Sequence, residues 1–97
     1  MRMMMRVTIP VEAGNKAIRD DLVPKLVQQT SELIKPEAAY FTPDHGHRTA
    51  YFYFDMKDSS QLVTVAEPWL MNVNAKVEFV PVMNGEELKT GMSTLKK

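Results

Sequence analysis

Apolar and polar positions alternate with a two-residue period in some stretches and a helical period in others, and the switches mark the elements. Met3, Met5, Val7 and Ile9 alternate with Met4, Arg6 and Thr8 as far as Pro10, which predicts a strand with one apolar face. Glu12-Ala13-Gly14-Asn15 reads as a loop whose Asn15 caps a helix, and Ile18, Leu22, Val23, Leu26, Val27, Thr30, Leu33 and Ile34 then recur at helical spacing. Pro24 lies inside that pattern. It cannot donate to the carbonyl of Asp20 and its ring crowds that turn, so a kink or restart is predicted between Asp20 and Val23. Lys35-Pro36 closes the helix.

Glu37 to Thr42 forms a short second strand, and a hairpin-length loop from Pro43 to His47 leads into a third. That third strand contains the run Ala50-Tyr51-Phe52-Tyr53-Phe54. Ala50, Phe52, Phe54 and Met56 share one face, while Thr49, Tyr51, Tyr53 and Asp55 share the other. Both faces carry apolar mass, as in a central strand. Ser59 or Ser60 caps a second helix with Leu62, Val65, Ala66, Trp69, Leu70 and Val73 on one side, and Pro68 predicts a bend in it. Asn72 and Asn74 suit the turn that ends it. Lys76 to Met83 is the last strand, with Val77 and Phe79 on one face and Val80 and Val82 on the other. Asn84-Gly85-Glu86-Glu87-Leu88 opens a short C-terminal helix, and Thr94 to Lys97 is expected to fray.

The order strand, helix, strand, strand, helix, strand predicts an α+β fold, a single ferredoxin-like βαββαβ domain over 1–97. Four antiparallel strands would carry two helices on one face and a short C-terminal helix besides. The helix stripes Ile18, Leu22, Leu26, Leu33 and Leu62, Val65, Trp69 are expected to pack on Phe52, Phe54, Val77 and Phe79. The opposite face would hold Tyr51, Tyr53, Val80 and Val82. That is more apolar surface than a small monomer exposes, so a homodimer joined sheet to sheet is predicted.

Val7 to Asn15, Ala39-Tyr40-Phe41-Thr42, Ala66-Glu67-Pro68-Trp69-Leu70 and Val77 to Met83, in this element order, resemble small bacterial proteins of unestablished activity in the dimeric α/β-barrel superfamily. That superfamily includes muconolactone isomerase-like, ethyl tert-butyl ether degradation-type and antibiotic biosynthesis monooxygenase-like proteins. The resemblance covers nearly the whole chain and implies paired sheets forming a dimeric α/β barrel, with a cavity that some relatives use for organic ligands. It specifies no reaction. The superfamily's haem-degrading branch combines an Asn on the first strand, a Trp on the third and a ligating His on the second helix. This chain has Thr8 and its neighbours on the first strand, no Trp from Arg48 to Met56 and no His after His47, so haem degradation is rejected and no cofactor is expected. Trp69, at core spacing, reads as a packing residue.

Composition narrows the partners. Ninety-seven residues suit one domain, and twelve Lys plus Arg against twelve Asp plus Glu leave no global field to draw in nucleic acid or an anionic membrane. Cysteine is absent, which excludes disulfides, thiolate ligands and a Cys nucleophile and suits the cytoplasm. The start, Met1-Arg2-Met3-Met4-Met5-Arg6, is broken by Arg6 and Thr8 before a signal-peptide core forms, and no apolar run is long enough to span a bilayer.

Candidate chemistry falls into two groups. His45 and His47 are the only histidines, with Asp44 beside them; a metal site needs three or four oriented ligands, so a solvated pair is favoured over a metal site. A His remains available as general acid or base, and Arg48 could grip a carboxylate. Arg6, Tyr40, Tyr51, Tyr53 and Asp55 form the second group, apolar walls with polar tips, read first as a dimer interface and second as part of a small-ligand cavity. An RNA-recognition motif shares the element order, and Ala50 to Phe54 fits the end of its third-strand signature. Thr49, however, stands where a stacking aromatic belongs, and the first strand has no aromatic at all. The sequence therefore predicts a homodimeric barrel of unassigned function with a ligand in a sheet-lined cavity, alternatively a small isomerase or cofactor-free monooxygenase-like enzyme, and, more distantly, an RNA-binding module.

Overall fold

A computed structural model describes residues 1–95. In chain order the elements are β1 (Arg2–Ile9), α1 (Val11–Arg19), α2 (Leu22–Ile34), β2 (Ala38–Asp44), β3 (His47–Asp55), α3 (Gln61–Val73), β4 (Lys76–Pro81) and α4 (Gly85–Met92). The four strands form one antiparallel sheet in the order β2-β3-β1-β4.

The sheet does not form the expected barrel. The sheet is open, with β2 and β4 at its two edges and no ladder joining them among the described residues. Closure requires the strands to tilt and stagger until the sheet curls round, and this four-stranded sheet stays open. There are also four helices, because the long first helix is two.

The core follows from strand parity. Met3, Met5, Val7 and Ile9 on β1 stand beside Ala50, Phe52 and Phe54 on β3, and all are buried under the helices. Val77 and Phe79 extend this layer across β4 as partly buried flanks. From above, Ala17, Leu26, Ile34, Val65, Trp69 and Val73 close it. Trp69 packs against Phe52 with ring centroids 6.3 Å apart, and its indole N–H donates to the Thr30 hydroxyl at 2.9 Å, so its one polar atom is satisfied in the interior. Ile18, Leu33 and Leu62 are substantially exposed, against expectation. α1 buries Gly14 and Ala17 and α2 buries Leu26, Thr30 and Ile34, so a single continuous stripe through Ile18 and Leu33 does not describe both helices.

That break comes where the proline predicts a restart. Asp21 takes a left-handed backbone (φ 53°), and Pro24 then falls in the first turn of α2, where its missing N–H leaves no intrahelical bond unmade. The start of α1 differs from expectation. Val11 to Asn15 is helical rather than a loop, with Pro10 at the N-cap position and Gly14 N–H donating to the Pro10 carbonyl at 2.8 Å. Likewise α3 begins at the expected place without a serine cap: the Gln61 side chain accepts from Lys57 N at 2.8 Å, and Asp58 Oδ1 accepts from Ser60 N at 3.0 Å.

β4 ends at Pro81, so Val82 lies just past the strand, though its N–H still donates to the Arg2 carbonyl at 3.1 Å. α4 is opened by a capping box, Asn84 Oδ1 accepting from Glu87 N and Glu87 Oε1 from Asn84 N, both at 2.8 Å. Of the stretch expected to fray, Ser93 N–H bonds back to Lys89 and Thr94 and Leu95 follow as a turn, while Lys96 and Lys97 lie outside the described residues.

Candidate functional site

The face of the sheet away from the helices is the surface on which the chain concentrates its unusual side chains. Register arranges them in rows across the strands. One row is Ala38–Tyr53–Met4–Val80, the next Tyr40–Tyr51–Arg6–Glu78, and the third Thr42–Thr49–Thr8–Lys76. Directly opposed residues on one face of an antiparallel pair lie about 4.5–5.5 Å apart at Cβ, close enough to act on each other.

In the middle row Arg6 grips Glu78 through both oxygens, Nε to Oε1 at 2.8 Å and Nη2 to Oε2 at 2.9 Å. This fork holds the Glu78 carboxyl below the usual carboxylate range and raises the Arg6 guanidinium further above neutrality. On the other side of Arg6, the Tyr51 hydroxyl donates to Asp44 Oδ2 in a short hydrogen bond, while Asp44 Oδ1 meets the His45 ring Nδ1 at 2.7 Å. The Tyr51 bond is the main cause of a lowered Asp44 carboxyl, with His45 and Arg6 adding to it, and the same bond raises the Tyr51 phenol. Tyr40 meets Tyr53 edge to face, with centroids 6.4 Å apart.

Arg6, Tyr40, Tyr51 and Tyr53 are therefore brought together as the sequence suggests. His45 joins them through Asp44, in a turn where His45 itself adopts a left-handed backbone (φ 53°), and His47 stands at the end of the face beside it, its Nδ1 3.1 Å from the His45 carbonyl. Two candidates lie elsewhere. Arg48 points to the helix side, where Nη2 donates to Asn15 Oδ1 at 3.0 Å and Nη1 to the Val11 carbonyl at 3.3 Å, so its guanidinium is engaged on α1 rather than on the open face. Asp55 sits at the far corner as an anchor for the chain terminus. It accepts from the Met1 ammonium at 2.7 Å and from Lys57 Nζ at 2.6 Å, and the two cations pull its carboxyl down to about 2, Lys57 the larger cause.

Val80 is on this face as the sequence predicts, whereas Glu78 and Met4 are not among the sequence candidates. Parity alone places Glu78 and Val80 on one face of β4, but which β1 residue each meets depends on a register that no local pattern encodes.

At the hairpin end of the face, Arg6, Thr8, Asp44, His47, Thr49 and Lys76 border an open concavity of about 570 Å³. It is a shallow surface feature, and the enclosed sheet-lined cavity expected from a barrel is absent with the barrel. The small-ligand, isomerase and monooxygenase-like readings lose their basis with it. The RNA reading fails for a different reason: Arg6, the cation at the centre of the face, is already neutralised by Glu78, and Thr8 and Thr49 occupy the row beside it where base-stacking rings would be needed. Among the described residues no group of three His, Asp or Glu side chains converges on a point, and no helix is long and apolar enough to cross a membrane.

What the face offers is aromatic and thioether surface in which Arg6 and Asp44 are partnered, with Lys76 at its hairpin end. Comparison with protein-family models, with curated proteins and with solved structures gave no match.

Proposed function

We propose that this chain is a protein–protein association domain whose open sheet face seats a second copy of itself. The observation that carries this reading is the composition of that face: a band of Tyr53, Met4 and Val80, flanked by Tyr40 and Tyr51, in which Arg6 and Asp44 are already partnered. Tyr40 is 63% exposed and Val80 40% exposed, so the band is incompletely covered by the chain's own atoms. Interface cores are enriched in Tyr, Met and Arg and depleted of unpaired charge, and an isologous pair needs one patch that suits itself. An apolar band in which Arg6 and Asp44 are neutralised in place meets both conditions, since stacking two copies on that band desolvates neither charge alone.

The resemblance to the dimeric superfamily supports this reading only as far as pairing through sheets; the closed barrel is not part of it. Cytoplasmic residence belongs to the reading too, on the strength of a composition without cysteine.

Sedimentation velocity tests it. Wild type is expected to sediment as a dimer at tens of micromolar, Val80→Asp as a monomer, and Lys25→Gln on the helix side as wild type. A wild-type monomer at 100 μM sinks the proposal.

A further inference from the structure

The C-terminal helix does not rest on the domain that bears it. None of the residues of α4 is buried, and the long axis of the molecule measures 57 Å against 28 and 17 Å for the others. The radius of gyration is 15.4 Å. A compact chain of this length has a value near 12.5 Å, so the difference marks a projecting arm. Its side-chain tether to the body is the ion pair between Arg2 and Glu87.

The arm is also amphipathic. Leu88 (49% exposed) and Met92 (58%) stand one turn apart on α4, and Leu95 (63%) follows in the turn beyond its end. Spacing of this kind is how a helix anchors in an apolar groove. A free helix shorter than about 12 residues is marginal in water, so an eight-residue helix that is capped by its own sequence yet uncovered is built to gain its stability from a docked state.

The area available to the proposed dimer says what covers it. Four strands about 4.8 Å apart and rows about 20 Å deep give a face of roughly 20 by 20 Å, so stacking two faces removes on the order of 800 Å² in total. Stable specific interfaces start near 1,200 Å². An arm about 12 Å long and 10 Å wide, laid on the other copy, adds roughly 250 Å² counting both surfaces, and two arms bring the total to about 1,300 Å².

We infer that α4 is a clasp that lays its Leu88–Met92 face, with Leu95 just beyond it, on a second copy of this chain; this rests on the face-to-face pairing proposed above. The arm completes an interface that the sheet alone leaves too small.

Two measurements test it on the full chain. First, the dimer dissociation constant is compared between wild type, Leu88→Asp/Met92→Asp and a chain ending at Met83. Both arm variants are expected to weaken the dimer tenfold or more while keeping the wild-type far-ultraviolet spectrum of the sheet, since none of the described residues they change or remove is buried. Second, the absence of native cysteine allows Met92→Cys to carry a single environment-sensitive dye, whose emission is expected to move to the blue with the concentration midpoint of dimerisation. A dimer that Val80→Asp dissociates but arm removal leaves unchanged within twofold overturns the clasp and leaves the sheet pairing standing. A dimer lost with the arm but indifferent to Val80→Asp overturns the sheet pairing and, with it, a clasp that completes that pairing. A dye that stays in a water-like environment at every concentration overturns the clasp.

Discussion

Arg48 reaches from β3 to Asn15 in α1, its Nη2 3.0 Å from the Asn15 carboxamide oxygen, and it passes over Gly14 to get there. A β-carbon built at Gly14 would lie 2.5 Å from Arg48 Nη1 and 3.3 Å from Ile9 Cγ2. The helix accepts its glycine because the guanidinium needs the space.

The two effects oppose each other, and this decides the outcome of Gly14→Ala. Alanine inside a helix is worth about 0.5–1 kcal/mol over glycine, while displacing the guanidinium gives up hydrogen bonds of about 0.5–1.5 kcal/mol each. Gly14→Ala is therefore expected to be neutral or destabilising in wild type and stabilising by up to about 1 kcal/mol in an Arg48→Ala background. Urea denaturation of the four proteins in the cycle measures the coupling. Additivity within about 0.3 kcal/mol contradicts the close approach.

The same pair explains where the sequence misleads. Gly14 carries the signature of a loop and Asn15 that of a cap, and nothing local reveals that a side chain thirty-three residues away supplies the reason for both. Strand parity was legible, since Phe52, Phe54 and Met5 are buried while Tyr51, Tyr53 and Arg6 take the other face as alternation requires. What alternation omits is register and termination. The pairing of Arg6 with Glu78 and the strand end at Pro81, which leaves Val82 outside, are set by non-local contacts. The barrel expectation arose because apolar residues on both faces announce a covered sheet without saying how it is covered.

The Trp69–Thr30 bond is the buried polar contact most exposed to a single substitution. Thr30→Val keeps the shape and removes the acceptor, leaving the indole N–H in a site where both residues are almost fully buried. An unsatisfied buried donor costs about 1–3 kcal/mol. Thermal unfolding is expected to register that loss in Thr30→Val. Wild-type stability in the variant would mean that the N–H finds another partner.

Acid stability has a defined window. The folded-state carboxyls of Asp55, Asp44 and Glu78 are all held below their ordinary values, Asp55 at about 2. A depressed carboxyl contributes stability that is fully present above its unfolded value, about 3.9 for Asp, and is lost as pH falls through the folded one. The melting temperature is thus expected to decline from about pH 4 to about pH 2, less steeply in Asp55→Asn and less steeply for every variant at high salt, where exposed ion pairs are screened. A slope unchanged by Asp55→Asn removes the terminal anchor from the explanation.

The final prediction isolates the hydrogen bond at the centre of the open face. Asp44 has three sources of stabilisation for its charge, the Tyr51 hydroxyl first, then His45 and Arg6. The last two act at least partly through charge and weaken in salt, whereas a donated hydroxyl proton does not. Tyr51→Phe removes that proton and leaves the ring. In a carbon-detected NMR titration at high salt, the Asp44 carboxyl of Tyr51→Phe is expected to titrate above that of wild type, moving toward the ordinary aspartate range. The reciprocal effect appears at the other end of the scale: Tyr51 in wild type ionises above the usual phenol range because its proton is held by a carboxylate, and the late component of the ultraviolet tyrosine titration should vanish in Tyr51→Phe. If Asp44 titrates at the same pH with and without the hydroxyl, His45 and Arg6 alone hold the charge, and the Tyr51–Asp44 hydrogen bond contributes nothing to it.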